Sequence, residues 1–267
     1  MTARDSRHAL LSVGIAVGLW GSMLVCLEIG RRVGIAHVQA WGADAWSGVG
    51  AVDGAVFGLL ALLVGFTFNG AANRFDRRRE LVSEEANSIS TAWQRIALLA
   101  DDQQSELRRL FRGYLDALVS WYAAPSPTQD SLGLPASITR AQDAMWASAV
   151  SACLTSRGEP ARVLLLPSLT DMFGAVDRER MMRHIHPPML VFAMLGLTEL
   201  AAAIFAGYAL ANTPARNWTY IVGVATAISL ATYVIIELEF PRLGWVRIDD
   251  MDRELETIRD SIRSIAA

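Results

Sequence analysis

Residues 54–72 read GAVFGLLALLVGFTFNGAA, and residues 73–96 continue as NRFDRRRELVSEEANSISTAWQRI. The first string carries no charge, and a helix needs about 20 mostly apolar residues to cross a hydrocarbon core. The second string is charged but keeps an apolar stripe. Phe75, Val82, Ala86, Ile89, Trp93 and Ile96 recur at a spacing of 7-4-3-4-3, which is one face of a helix. Neither proline nor glycine interrupts the chain between Gly70 and the end of that stripe. One continuous helix is therefore expected to leave the membrane and run on into water.

Three more apolar blocks accompany this one. They are Ala9–Leu27, Pro187–Ala211 with Glu199 inside it, and Asn217–Ile236. In a chain of 267 residues, 52% of them apolar, with mean hydropathy +0.29, four such blocks point to a multi-pass membrane protein. Trp46, Trp218, Tyr220 and Trp245 sit near block ends, where interfacial aromatic belts form. The first block has an alternative reading as a cleaved signal peptide, since Arg4 and Arg7 precede it and Val38-Gln39-Ala40 resembles a cleavage site. Its apolar run exceeds the usual length of about 7–15 residues for such a segment.

Arginine placement sets the expected orientation. Arg4, Arg7, Arg74, Arg77, Arg78, Arg79, Arg178, Arg180, Arg183, Arg242 and Arg247 lie on one side of the blocks. Arg31, Arg32 and Arg216 lie on the other. Both termini and the long middle segment are thus expected in the cytoplasm of a bacterial plasma membrane. The expected organisation is residues 1–72 for the N-terminal tail and spans one and two, 73–186 for an inserted cytoplasmic helical domain, 187–240 for spans three and four, and 241–267 for a cytoplasmic amphipathic helix. The fold class is all-α.

Within 73–186 a helix break is expected at Asp101-Asp102, followed by a helix bearing Leu107, Leu110, Tyr114, Leu118 and Trp121. Proline and glycine make Ala124–Ser137 a loop. Helices are expected over Ile138–Thr155 and Ala161–His184, with a turn at Arg157-Gly158-Glu159-Pro160. Near the C-terminus Ile248, Met251, Leu255, Ile258, Ile262 and Ile265 repeat at 3-4-3-4-3, a seam suited to a short coiled coil or, the favoured reading, to packing on the other cytoplasmic helices.

All 24 basic residues are arginine and the net charge is −3, which suits a GC-rich bacterial genome and gives no ground for nucleic-acid binding. Cys26 and Cys153 are expected on different sides of the membrane boundary, so no disulfide follows. No nucleophile motif, phosphate loop or zinc spacing points to an enzyme, a cofactor or a metal. His184 and His186 are two apart, and two such residues diverge on a helix. Glu84-Glu85 and Asp249-Asp250 read as solvated helix faces. Glu28, Glu237 and Glu239 read as charges at the membrane interface.

Glu199 falls mid-span, where an ionised side chain is costly. It is either a residue of an ion path or a hydrogen-bonded carboxyl that fixes helix packing. In the second span Gly58, Leu62, Phe66, Asn69 and Asn73 share one face that passes from small to apolar to amide. Read from spacing alone, that face packs on a neighbouring helix. Gly54 and Gly58 form a small-xxx-small pair suited to close helix approach.

Val64-Gly65-Phe66, then Arg74, Arg78, Leu81 and Asn87, resembles the second-helix signature of bestrophins. The segment Glu84-Glu85-Ala86-Asn87 is similar to a pattern in a bestrophin-like family of bacterial membrane proteins. Glu239-Phe240-Pro241 with Gly244 is similar to the acid-Pro-Phe-Gly segment that follows the last span in bestrophins. The resemblance implies an ion channel, a homo-pentamer in the lipid bilayer that passes small inorganic ions. It implies a pore neck of Gly58, Leu62 and Phe66, with Asn69 and Asn73 hydrating ions below and Arg74 at the cytoplasmic exit. Gly58 departs from the bulky residue of the pattern, and no calcium-binding acidic cluster is recognisable. Alternatives are a non-conducting scaffold or sensor acting through the cytoplasmic helices, and a transporter that depends on Glu199.

Overall fold

The apolar stripe of the charged half-helix does find a core. In the computed structural model, which describes residues 5–42, 49–123, 133–155, 159–212, 218–240 and 249–264, helix α2 runs unbroken over Val49–Ile96. The other helices are α1 (Asp5–Trp41), α3 (Asp101–Tyr122), α4 (Ala136–Cys153), α5 (Glu159–Arg183), α6 (Met189–Ala209), α7 (Trp218–Glu239) and α8 (Asp249–Ser264). A short 3-10 turn, Leu210–Asn212, follows α6. Among the described residues there is no strand. Trp46, Trp245, Arg4, Arg157, Gly158, Arg216, Pro241, Arg242, Gly244, Arg247, Ile248 and Ile265 lie outside the described residues, as do 124–132 of the expected loop.

The chain divides into two compact units, Met1–Phe75 with His186–Arg247, and Asp76–Ile185 with Ile248–Ala267. The boundary falls inside α2, between Phe75 and Asp76, three residues into the charged string. Four helical stretches are long and apolar enough to cross a membrane: Ser12–Trp41, α2, α6 and α7.

In the first unit α1 is longer than its expected apolar block. It continues through Arg31 and Arg32, which are helical residues and not part of a loop, and Val38-Gln39-Ala40 also lies inside it. Its C-terminal half packs on α6 with backbones almost touching. A Cβ added at Gly30 would lie 1.9 Å from the Ile204 carbonyl oxygen, and one at Gly207 would lie 1.9 Å from that of Leu27. Gly34 is nearly as tight, with the Ala211 Cβ 2.7 Å away. At Gly54 and Gly58, whose spacing allows close approach, nothing in the described part of the chain comes within 4 Å of a Cβ. Small residues let membrane helices approach where dispersion alone holds them; here that contact belongs to α1 and α6. Trp20 Nε1 donates to Thr226 Oγ1 at 3.1 Å, tying α1 to α7. Leu60 and Ala71 of α2 pack with Leu195 and Ala202 of α6 and Ile235 of α7.

The second unit is a helical bundle closed by α8. Val82, Ala86, Ile89, Trp93 and Ile96 are buried, as their spacing requires, and Leu81 and Ala92 join them. A turn at Ala97–Ala100 separates α2 from α3; Asp101 and Asp102 begin α3, where acids complement the helix dipole. Leu107, Phe111, Tyr114, Leu115 and Leu118 of α3 meet Met145 and Ala149 of α4 and Leu165, Leu169 and Met172 of α5 in one cluster. Leu255 and Ile262 of α8 are buried in it and Ile258 packs against it. The C-terminal seam therefore packs on its own unit, and Arg263 reaches Asp116 at 2.6 Å to hold it there.

Candidate functional site

The two sides of the apolar part of α2 have different surroundings. Leu60 and Ala71 are buried, whereas Gly58, Leu62, Phe66, Asn69 and Asn73 are all exposed in the single chain. Leu62 is 52% exposed and Phe66 66%, too much for residues wedged between helices of one subunit. The sequence periodicity and the structure thus agree that these five residues share a face, and among the described residues no helix covers it. Thr67 satisfies its hydroxyl on the Leu63 carbonyl at 2.7 Å, so this stretch of α2 needs no outside polar partner for it.

Arg74 is not simply a continuation of that face. One residue past Asn73, it is rotated about 100° round the helix, and its Nε donates to Glu239 Oε2 at 2.8 Å. Glu239 is fully buried at the end of α7, and its other oxygen lies 3.1 Å from His186 Nδ1. The His186 ring stacks on Phe240 with centroids 5.0 Å apart. A buried carboxylate needs partners, and here two elements supply them. Glu239 is therefore a buried anchor joining α2, α7 and the segment before α6. Glu237 is buried as well and accepts from Ser12 Oγ at 2.8 Å, linking α7 to α1. The period of α7 carried a signal for this: Glu239 lies four residues after buried Ile235 and seven after buried Thr232.

His184 and His186 are not on a helix, because α5 ends at Arg183 and the chain is non-helical over 185–188. Among the described residues no group of three or more His, Cys, Asp or Glu side chains is placed to hold a metal ion. Glu199 is fully buried on α6 and accepts a hydrogen bond from Thr232 Oγ1 of α7.

The second unit also buries an acid. Glu85, expected on a solvated surface, is fully buried, and both its oxygens accept from Tyr122 Oη, at 3.1 and 2.9 Å. Glu85 lies three residues after Val82 and four before Ile89, inside the apolar stripe, so its position already marked it as inward. Burial, with the Glu85 charge nearby, raises the pKa of Tyr114. Burial also raises that of the Cys153 thiol. Arg78 of the signature is buried and donates from Nη2 to the Ile185 carbonyl at 3.3 Å, and Leu81 is buried, while Asn87 is exposed. The Glu-Glu-Ala-Asn segment is thus read by the bundle core through its second acid and its alanine.

Four membrane-length helices among the described residues and a helical second unit define an all-α membrane protein. The chain belongs to the bestrophin-like family, whose domain matches residues 33–251. Its fold is similar to a crystal structure of a bacterial bestrophin homologue from Klebsiella pneumoniae carrying a tyrosine-to-alanine substitution. That match has TM-score 0.62 and 14% identity, and covers 91% of this chain and 98% of that one. Two crystal structures described as membrane proteins with proline-to-alanine substitutions give TM-scores of 0.64 and 0.62 at 13% identity, each covering 92% of this chain. They are themselves covered over 98% and 97%. No curated protein matches the sequence.

Proposed function

We propose that the chain forms a homo-pentameric ion channel in the bacterial plasma membrane, with α2 of each copy facing the symmetry axis. Leu62 and Phe66 form a hydrophobic neck, of the kind that gates by dewetting. Gly58 leaves the outer part of that neck wide. Asn69 and Asn73 hydrate ions on the cytoplasmic side, and Arg74, tied to Glu239, borders the exit. The observation that carries this reading is the exposure of Leu62 and Phe66 on a helix whose opposite side is packed. An apolar face of that kind calls for lipid or another copy. In lipid alone, Asn69 and Asn73 on the same face would have little reason to be there.

The arginine distribution supports an orientation with both termini and residues 73–186 in the cytoplasm. The inserted helical domain and the helix after residue 240 would then form the inner vestibule. Glu199, enclosed between α6 and α7, serves helix packing in this reading.

Planar-bilayer recording tests the neck. Leu62→Ala and Phe66→Ala should each raise single-channel conductance without loss of the assembled oligomer, because neither side chain is needed by the subunit core. Silence from wild type and both variants, in protein shown to be a correct oligomer, would instead favour a membrane scaffold acting through its helical domain. A monomeric protein would remove the shared axis and the proposal with it.

A further inference from the structure

Beside the exposed face of α2 the first unit contains a narrow cleft of about 270 Å³ between α2, α6 and α7. Leu63 and Phe66 of α2, Val191 and Phe192 of α6 and Ile235 of α7 make its apolar walls. Of its lining side chains only Thr67 and Arg74 are polar, and Thr67 spends its hydroxyl on backbone carbonyls. Arg74 donates to Glu239 through Nε. Its two terminal nitrogens lie over Gly70, 3.3 and 3.6 Å from where a Cβ would be, and make no hydrogen bond among the described residues. The Arg74 side chain is 25% exposed, so those nitrogens are within reach of a ligand.

Along α2 the lining runs from Leu63 through Phe66 and Gly70 to Arg74. The guanidinium lies back over Gly70, so at 1.5 Å per residue it stands about 10 Å above the apolar floor at Leu63. This is the polarity gradient of a lipid, with an acyl chain toward the membrane interior and an anionic head toward its edge. A guanidinium with unengaged N–H groups matches a phosphodiester oxygen in charge and geometry. The cleft is smaller than the roughly 300–1,000 Å³ of a typical small-molecule pocket, which suits one chain and not two.

We propose that this cleft binds an anionic membrane lipid, with one acyl chain between α2 and α6 and its headgroup on Arg74. Phe66 lines both the cleft and the proposed neck. An occupied cleft therefore restricts the rotation of Phe66, a consequence that rests on the channel reading, whereas binding itself does not.

Native mass spectrometry of the detergent-purified protein, titrated with phosphatidylglycerol, with phosphatidylcholine of the same chains, and with palmitate, tests the site without recourse to conductance. Wild type should prefer phosphatidylglycerol over phosphatidylcholine by about tenfold, the size expected of a hydrogen-bonded charge pair. Arg74→Gln should erase that preference. Val191→Trp, which crowds the apolar wall contributed by α6 and keeps both members of the Arg74–Glu239 pair, should lower retention of phosphatidylglycerol by about tenfold. It decides the matter if Arg74→Gln fails to fold. Equal retention of the two phospholipids by wild type overturns the proposal, as does undiminished phosphatidylglycerol binding in Val191→Trp. Binding of palmitate alone overturns it in favour of a free single-chain carboxylate. Dissociation of the oligomer in Val191→Trp with lipid count unchanged overturns it in favour of a neighbouring copy in the cleft.

Discussion

The two units hide their apolar surface in different ways. The second unit gathers its large side chains into one cluster in which Ile89, Phe111, Tyr114, Met145 and Leu165 are essentially inaccessible. Within the membrane-length stretches the buried share is far lower, 17%, 6%, 22% and 33% for the first to the fourth. Water drives apolar surface inward and so demands a core. Hydrocarbon makes no such demand, and helices there are held by close backbone approach and by polar pairs. The lowest value, 6%, belongs to the apolar stretch of α2 on which the conduction proposal rests. Each unit nevertheless buries acids with designated partners, Glu85 with Tyr122 in one, Glu237 with Ser12 and Glu239 with Arg74 and His186 in the other.

The contrast can be broken most severely at the α1–α6 contact. Gly207→Leu drives a side chain into the Leu27 carbonyl, only 1.9 Å from its first carbon. Overpacking of well-fitted sites costs about 1–3 kcal/mol and sometimes more, and a clash with backbone belongs at the upper end. Loss of monodisperse protein on size exclusion is the expected result. Gly58→Ala, on a helix as apolar but with open space at that position, should leave elution unchanged.

Phe111→Ala addresses the other mode of burial. Removal of a fully buried aromatic ring should cost about 3–5 kcal/mol, seen as early loss of helical signal in a thermal melt. If it proved as harmless as Leu62→Ala, the second unit would not have the water-excluding core described above. Tyr122→Phe is smaller and more specific. It keeps the ring and takes a donor from a buried carboxylate, which should destabilise by about 1–3 kcal/mol. A neutral outcome would mean that Glu85 is held by its other interactions.

The smallest effect is expected on the surface. The hydrogen bond from Arg109 lowers the pKa of Glu106 in an exposed pair on α3. Such a shift stabilises above the ordinary carboxylate pKa, and the contribution is lost as pH falls through the lowered value. Solvent screening makes it minor. Glu106→Gln should therefore leave the melting temperature at neutral pH unchanged within error, in contrast to Tyr122→Phe.

Much of this arrangement was legible beforehand, for identifiable reasons. Uninterrupted apolar runs mark membrane-length helices because length and polarity suffice. The 3-4 spacing along Val82–Ile96 and Leu255–Ile262 marks inward faces because a helix has only one period. The shared face of Gly58, Leu62, Phe66, Asn69 and Asn73 follows from the same rule. Partnership was harder to read. Gly54 and Gly58 look as suited to close approach as Gly30 and Gly207, and spacing along one helix does not say which neighbour arrives. Glu85 shows the same limit, since its inward position is periodic but its acceptor role depends on Tyr122, 37 residues away.

By itself, then, the amino-acid order determined four apolar helices, the continuity of α2 and which side chains share a helix face, because these follow from local covalent geometry and hydropathy. Only the tertiary structure decided that Gly30 and Gly207 mark the tight contact, that Glu239 joins Arg74 to His186, and that the Leu62 and Phe66 side is left uncovered among the described residues. Those outcomes turn on residues far apart in the chain, 165 positions in the case of Arg74 and Glu239. The pairing of such distant groups is set by the packing of whole helices and not by local sequence.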